Sequence, residues 1–330
     1  MNQASASKHL SVSQIIRWVG TGFSTVLFIY LLSLVDWQLI FHSLKQLPVW
    51  LLLIVIVCYL LGIIANGLRW FVLLHAQKIK VNFLQVLRMV FMGAFISNFL
   101  PSTVGGDIAR IAASYRYTKS ASISAASVLL ERLINMASTI SSVPFLLTLA
   151  KPGFNFDQLI SLKSLSSAFI FGKFFEKWFA RIENHWSKEI TTLKLALKIW
   201  LKRPYTLLLA YVIAWLSNLV VFLGMWLLAN RIGIQVTFFQ VIGVNFVIYF
   251  LTLLPISING FGVKEISEIS IYVYLGASLE QATIFTILTR FIALAETFPG
   301  AFWVSQAFNF SRNENDQEEN DISGEIEKSS

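Results

Sequence analysis

Long apolar segments constrain this chain more than any other feature of its sequence. Between residues 49 and 74 almost every side chain is apolar, and comparable runs occupy 18–35 and 205–229. A helix of about 20 apolar residues crosses a bilayer and satisfies its own backbone groups there. Hydrophobic residues make up 56% of the chain, charged residues make up 13%, and the mean hydropathy is +0.66. This composition excludes a soluble globular domain and predicts an all-α polytopic membrane protein.

The apolar runs predict about six full spans in a membrane domain covering residues 15–308. The predicted spans are 18–35, 49–74, 121–149, 165–175, 205–229 and 283–308. Basic residues collect in 75–80 and 177–203, and the positive-inside rule places such segments in the cytoplasm. We therefore expect a multi-pass protein of the cell membrane with both termini cytoplasmic. The polar residues 1–14 and the acidic tail 309–330 are predicted to be disordered.

Two stretches interrupt apolar segments in the same way. They read NFLPSTVGGDIAR at 98–110 and LLPISINGFGVKE at 253–265. Proline removes a backbone donor and glycine permits sharp bends, so one helix ends and another begins in each stretch. The residues assigned to the two breaks are Pro101, Gly105, Gly106, Pro255, Gly260 and Gly262. The short apolar segments on either side predict two re-entrant helical hairpins, with Asp107 at the head of the first returning helix.

The two halves of the chain also resemble each other. VNFLQVL at 81–87 aligns with VTFFQVI at 236–242. The other aligned pairs are Pro48 with Pro204, Pro101 with Pro255, and Arg132 with Arg290. Offsets of 154 to 158 residues across these anchors indicate a duplication, with repeat 1 at about 15–150 and repeat 2 at about 164–308. The charge rule places the copies upside down relative to each other, an arrangement found in secondary transporters with broken helices.

Several motifs resemble one known family in their order along the chain. They are PSxxGGDxxR from Pro101, ASVLLER at 126–132, GFGVKE at 260–265 and TILTRF at 286–291. Together they resemble the lysylphosphatidylglycerol synthetase transmembrane-region family, which includes the flippase half of multiple peptide resistance factors. The resemblance covers roughly residues 15–308 and implies movement of a lipid between leaflets. Asn259 and Lys264 depart from the family pattern, and the soluble aminoacyl-transferase domain of bifunctional members does not follow.

Charged residues inside the apolar segments are the candidate site residues for a lipid headgroup, because charge at membrane depth is costly and marks pathways. They are Arg69, Asp107, Arg110, Glu131, Arg132, Lys264, Glu265 and Arg290. Arg132 and Arg290 are predicted to offer bidentate donors to a phosphodiester. Glu265 is the candidate for a titrating residue that couples transport to an ion. Structural alternatives stay open: Asp107 with Arg110, Glu131 with Arg132, and Glu265 with Lys264 or Arg290 can form ion pairs. Arg69 is either an interfacial anchor or a headgroup contact.

Two classes of function follow, and transport is the preferred one. A charge-lined groove would pass an anionic phospholipid or polyprenyl-phosphate headgroup while the acyl chains stay in the bilayer. The alternatives are a membrane-embedded lipid-phosphate transferase and an accessory subunit of an envelope glycolipid pathway. The single cysteine, Cys58, allows no intramolecular disulfide. We expect no metal, cofactor or nucleic-acid partner, and either a glycosyltransferase or a second copy of the chain as a possible protein partner.

Overall fold

Every regular element in the described part of the chain is helical. The computed structural model describes residues 47–98, 104–149, 198–253 and 262–304. The α-helices in these ranges are α1 (Val49–Ala76), α2 (Phe83–Ser97), α3 (Val104–Thr118), α4 (Ala121–Ile140), α5 (Pro204–Ile232), α6 (Phe238–Leu253), α7 (Val263–Tyr274) and α8 (Leu279–Thr297). Short 3₁₀ segments, Val143–Leu149 and Phe298–Gly300, follow α4 and α8. The predicted all-α class is confirmed.

Four helices are long and apolar enough to cross a membrane. They are Val49–Ala76, Ala121–Ile140, Pro204–Ile232 and Leu279–Val304, the last of which joins α8 to its 3₁₀ extension. Large apolar side chains such as Leu53 and Leu208 remain exposed on α1 and α5 within the described part, as expected of helices that face lipid. The spans predicted at 18–35 and 165–175, and the terminal segments 1–14 and 309–330, lie outside the described residues.

Helices α1 and α5, which the sequence alignment pairs through Pro48 and Pro204, lie against each other. Small residues let their backbones approach. The Ser217 hydroxyl donates to the carbonyl oxygen of Gly62 at 3.1 Å, and a Cβ on Gly224 would lie 2.9 Å from the Cβ of Cys58. Close approach at small residues is the usual way in which helices associate in lipid, where apolar surface alone has no preference for protein.

The shorter helices pack as neighbours in sequence: α2 lies against α3, and α6 lies against α7. At the first contact a Cβ on Gly93 would lie 2.8 Å from the carbonyl oxygen of Gly106, so the two backbones almost touch. The connections 99–103 and 254–261, which contain Pro101, Pro255 and Gly260, lie outside the described residues. The re-entrant course of the two pairs therefore stays a prediction.

Two predicted boundaries are wrong, and local chemistry explains both. The span predicted at 121–149 is α-helical only to Ile140, because Pro144 cannot donate a backbone hydrogen bond and a 3₁₀ segment begins at Val143. Helix α8 begins at Leu279, earlier than the predicted 283. Its first turn is closed by a capping box in which Ser278 and Gln281 exchange hydrogen bonds of 3.0 and 3.1 Å.

Substituting Ser278 with alanine is expected to destabilise the protein by about 1 kcal/mol, because the backbone N–H of Gln281 loses its acceptor. Thermal unfolding in detergent micelles measures the change. Ser270→Ala is the matched control, since Ser270 is exposed in the interior of α7. Equal melting temperatures for the two variants would show that the cap does not contribute to stability.

Candidate functional site

A polar cavity of about 550 Å³ lies between the helices, and all eight described helices contribute to its wall. The polar side chains on this wall are Tyr59, Asn66, Ser97, Asp107, Arg110, Glu131, Ser217, Asn218, Asn245, Tyr249, Lys264, Glu296 and Thr297. A volume of this size falls within the range of small-molecule sites. Because polar groups are expensive at membrane depth, their concentration around one space indicates a binding site or a pathway.

Five charged side chains form a continuous network on one side of the cavity. Glu131 of α4 is at its centre: one carboxylate oxygen pairs with Arg69 of α1, and the other accepts from Nη1 of Arg110 at 3.0 Å. Nη1 of Arg110 is also 3.7 Å from the carboxylate of Asp107, which lies one turn earlier in α3. Asp107 in turn pairs with Arg132 of α4. The network therefore ties α1, α3 and α4 together.

Residues of three helices, α1, α2 and α4, contact the Arg110 side chain. Its guanidinium lies 4.2 Å from the ring centroid of Trp70, a cation–π contact, and the Trp70 indole donates to the Ser127 hydroxyl at 3.1 Å. The absence of a side chain at Gly93 makes room for the aliphatic stem, since a Cβ there would lie 2.6 Å from Cγ of Arg110. These contacts hold the guanidinium at the cavity wall.

Part of the Arg110 guanidinium has no hydrogen-bond acceptor among residues 47–98, 104–149, 198–253 and 262–304. Only 11% of the side chain is exposed, yet Nε and Nη2 are buried without a hydrogen-bond partner among the described residues. A guanidinium presents its donors in a planar fork that matches carboxylate and phosphate oxygens. Arg110 can therefore keep its ion pair with Glu131 through Nη1 and still donate to an anion in the cavity.

The second half of the chain contains a related but smaller set of charges. Nε of Arg290 on α8 lies 3.3 Å from a carboxylate oxygen of Glu265, which is 1% exposed. The other oxygen of Glu265 accepts from the backbone N–H of Gly262 at 2.7 Å and so caps α7. Gly262 has φ of +80°, a backbone conformation that favours glycine. Of the alternatives open for Glu265, the pair with Arg290 is confirmed.

The two halves place these pairs at the same spacing. Asp107 lies in the first turn of α3 and pairs with Arg132, 25 residues later in α4. Glu265 lies in the first turn of α7 and pairs with Arg290, also 25 residues later, in α8. In each half an acid at the start of one helix is joined to an arginine of the next helix.

The comparison with protein families decides what this chain is similar to. The model described as the lysylphosphatidylglycerol synthase TM region matches residues 17–300. The chain belongs to this family. A comparison with curated proteins found no match. The resemblance stated from the motifs is confirmed, and membership agrees with a membrane protein that has several apolar helices and handles lipid.

In this family member, four predicted site residues line the cavity: Asp107, Arg110, Glu131 and Lys264. The other four do not contribute to the described lining: Arg69, Arg132, Glu265 and Arg290 are engaged in ion pairs. That Arg132 and Arg290 offer bidentate donors to a phosphodiester stays a prediction.

Two alternatives are corrected by the positions of the side chains. Arg69 is not an interfacial anchor, because its side chain is 3% exposed and is held by Glu131 inside the protein. Glu131 finds its partners on α1 and α3, Arg69 and Arg110, so the predicted local pair with Arg132 is not the contact that holds it. The expected contact of Asp107 with Arg110 is present but long, at 3.7 Å.

The described glycines of the predicted breaks have distinct positions. Gly105 and Gly106 lie in the first turn of α3, and Gly106 lines the cavity. Two functional candidates were missed in the sequence. Glu296 lines the cavity from α8, and its signal was an acid within a span, the same signal that singled out Glu131. The other is Trp70, and no sequence signal indicates that it supports Arg110.

Proposed function

We propose that the protein is a lipid transporter that moves a phosphate-bearing lipid between leaflets, with the headgroup in the cavity and the acyl chains in the bilayer. The observation that carries this proposal is the position of Arg110, which lines the cavity with buried N–H donors that no described protein group accepts. Lys264 lines the same cavity from the second half and supplies further positive charge. A phosphate monoester or diester is an anion that such donors hold well.

Alternating access supplies the mechanism. The repeated acid–arginine spacing and the common order of long, short, short and long helices support two repeats of one unit. If the repeats are inverted, each broken pair opens toward one side of the membrane, and rocking of one repeat against the other exposes the cavity to each leaflet in turn. The protein then acts in the cell membrane with both termini in the cytoplasm and carries out no chemical step on the lipid.

Purified protein in vesicles tests this function. We expect acyl-labelled phosphatidylglycerol or polyprenyl phosphate to exchange between the leaflets of phosphatidylcholine vesicles, whereas labelled phosphatidylcholine exchanges no faster than in protein-free vesicles. Chemical quenching of the label in the outer leaflet follows the exchange. Equal rates with and without protein for both anionic lipids would contradict the proposal and favour the accessory-subunit or transferase alternatives.

Arg110→Lys is expected to lower the exchange rate about tenfold, because lysine keeps the charge and loses the forked donors, a loss of one charged hydrogen bond. Arg116→Lys, on the exposed end of the same helix, is the matched control and should exchange lipid as the unmodified protein does. Arg132→Lys and Arg290→Lys should have smaller effects, since the described cavity is not lined by either arginine and each is engaged in an ion pair, with Asp107 and Glu265 respectively. Unchanged exchange in Arg110→Lys with lower thermal stability would assign Arg110 a structural role.

A further inference from the structure

Glu268 on α7 is a buried acid without a hydrogen-bond partner in the described part of the chain. Its side chain is fully buried, and neither carboxylate oxygen accepts or donates a hydrogen bond to any described residue. An ionised carboxylate in such surroundings costs far more free energy than a neutral one, and a group of this kind takes up a proton instead. Burial without a partner makes Glu268 a candidate for proton uptake.

The position equivalent to Glu268 in the first half of the chain is Arg110, which has a charged partner on the next helix. Arg110 lies three residues after Asp107, and Glu268 lies three residues after Glu265, so the two occupy equivalent places. Arg110 meets Glu131 of α4, but the place of Glu131 in α8 is taken by Thr289, whose hydroxyl donates to the carbonyl oxygen of Thr286. The second half therefore has an acid where the first half has an arginine, and the equivalent position on α8 carries a threonine in place of a charged residue.

The ionisable groups around Glu268 come from each neighbouring helix. On α7 itself they are Lys264, Glu265 and Tyr272, and on α8 Arg290 acts on Glu268 from its pair with Glu265. Helix α1 contributes Tyr59, which lies close to both Glu268 and Glu296. Helix α6 also packs against α7, but Tyr249, its ionisable side chain, lies close to Glu131 and Arg132. The ionisable neighbours of Glu268 are therefore two cations, Lys264 and Arg290, one further acid, Glu265, and two tyrosines.

Glu268 lies near the wall of the cavity. Lys264, one turn before Glu268 on α7, lines the cavity, as do Tyr59 of α1 and Glu296 of α8. The Glu268 carboxyl is therefore one helical turn away from a residue that faces the cavity.

We propose that Glu268 is a proton-binding site through which proton movement drives lipid transport. The carboxylate takes one proton from cavity water when the cavity opens to one side, stays neutral while it is buried, and returns the proton to water on the other side. No other bond forms or breaks. This inference rests on the proposed lipid transport and adds its energy source.

Phosphatidylcholine vesicles that contain labelled phosphatidylglycerol and carry a pH difference of one unit test the coupling. For one proton per lipid, this difference corresponds to an accumulation of about tenfold in one leaflet. We expect the unmodified protein to approach this ratio in either direction and Glu268→Gln to show equal leaflets at whatever rate it retains. Glu280→Gln, which removes an exposed acid at the start of α8, should keep the ratio of the unmodified protein. Accumulation by Glu268→Gln equal to that of the unmodified protein would overturn the inference.

Infrared spectroscopy tests the proton site without a transport assay. It also tests the inference if Glu268→Gln does not fold, because it uses Glu268→Asp instead. Difference spectra between acidic and alkaline samples should contain a carbonyl band of a protonated carboxyl group, which Glu268→Asp shifts and Glu280→Gln leaves in place. A spectrum whose protonated band is the same in Glu268→Asp and in the unmodified protein contradicts the inference. If the band responds but no labelled lipid moves, the proton site stands and the proposed transport of these lipids fails.

Discussion

Replacing Glu131 with glutamine is expected to destabilise the protein by about 3–5 kcal/mol, the largest loss among the single substitutions considered. The carboxylate of Glu131 is the shared partner of two buried arginines, Arg69 and Arg110. Glutamine keeps the shape but not the charge, so the buried Arg69 loses its ion pair and Arg110 keeps only the longer contact of 3.7 Å with Asp107. Thermal unfolding in detergent micelles and the yield of folded protein from membranes measure the loss.

A double substitution distinguishes the cost of leaving a buried arginine unpaired from the cost of lost packing. Combining Glu131→Gln with Arg69→Gln removes one of the stranded cations and should recover part of the stability, an interaction that a double-mutant cycle quantifies. Glu280→Gln removes an exposed acid of the same type and should change stability little. If Glu131→Gln costs no more than Glu280→Gln, the network does not stabilise the described fold.

Gly106→Ala is expected to destabilise the protein by about 3 kcal/mol, the upper end for overpacking. A Cβ at this position would overlap the carbonyl oxygen of Gly93 and the hydroxyl of Ser97, so α2 and α3 must separate. Alanine favours a helix more than glycine does, which offsets only about 1 kcal/mol of the loss. Because Asp107 and Arg110 follow on the same helix, lipid exchange should fall as well.

Gly67→Ala is the matched control for Gly106→Ala. A Cβ on Gly67 would lie 3.0 Å from Cδ1 of Leu87, the end of a side chain that can rotate away. Its cost should therefore be well below that of Gly106→Ala, where a backbone carbonyl blocks the space. Similar melting temperatures for the two variants would mean that α2 and α3 separate easily, and that the close contact does not shape the cavity.

Sequence reasoning located the ends of helices best where those ends depend only on residues adjacent in the chain. Asp107 lies in the first turn of α3 as predicted, because the glycines before it permit a helix to begin and an acid is favoured at that end. It failed at the end of α4, where hydropathy remains high beyond Ile140. There Pro144 and the serines that bond to preceding carbonyl groups, such as Ser141 to Ser138, change the backbone without changing the apolar character of the segment.

The sequence by itself determined that this is a helical membrane protein, which residues are charged inside it, and that acids and arginines recur at related positions in two halves. Only the tertiary structure decided which charges meet. Spacing along a helix sets the face on which a side chain lies, but the partner depends on which other helix approaches that face. Contact at Gly93 and Gly106 brings α3 to α2 and leaves room for Arg110. Arg110 and Arg69 could therefore reach Glu131 from separate helices, while Glu268 was left without a partner among the described residues.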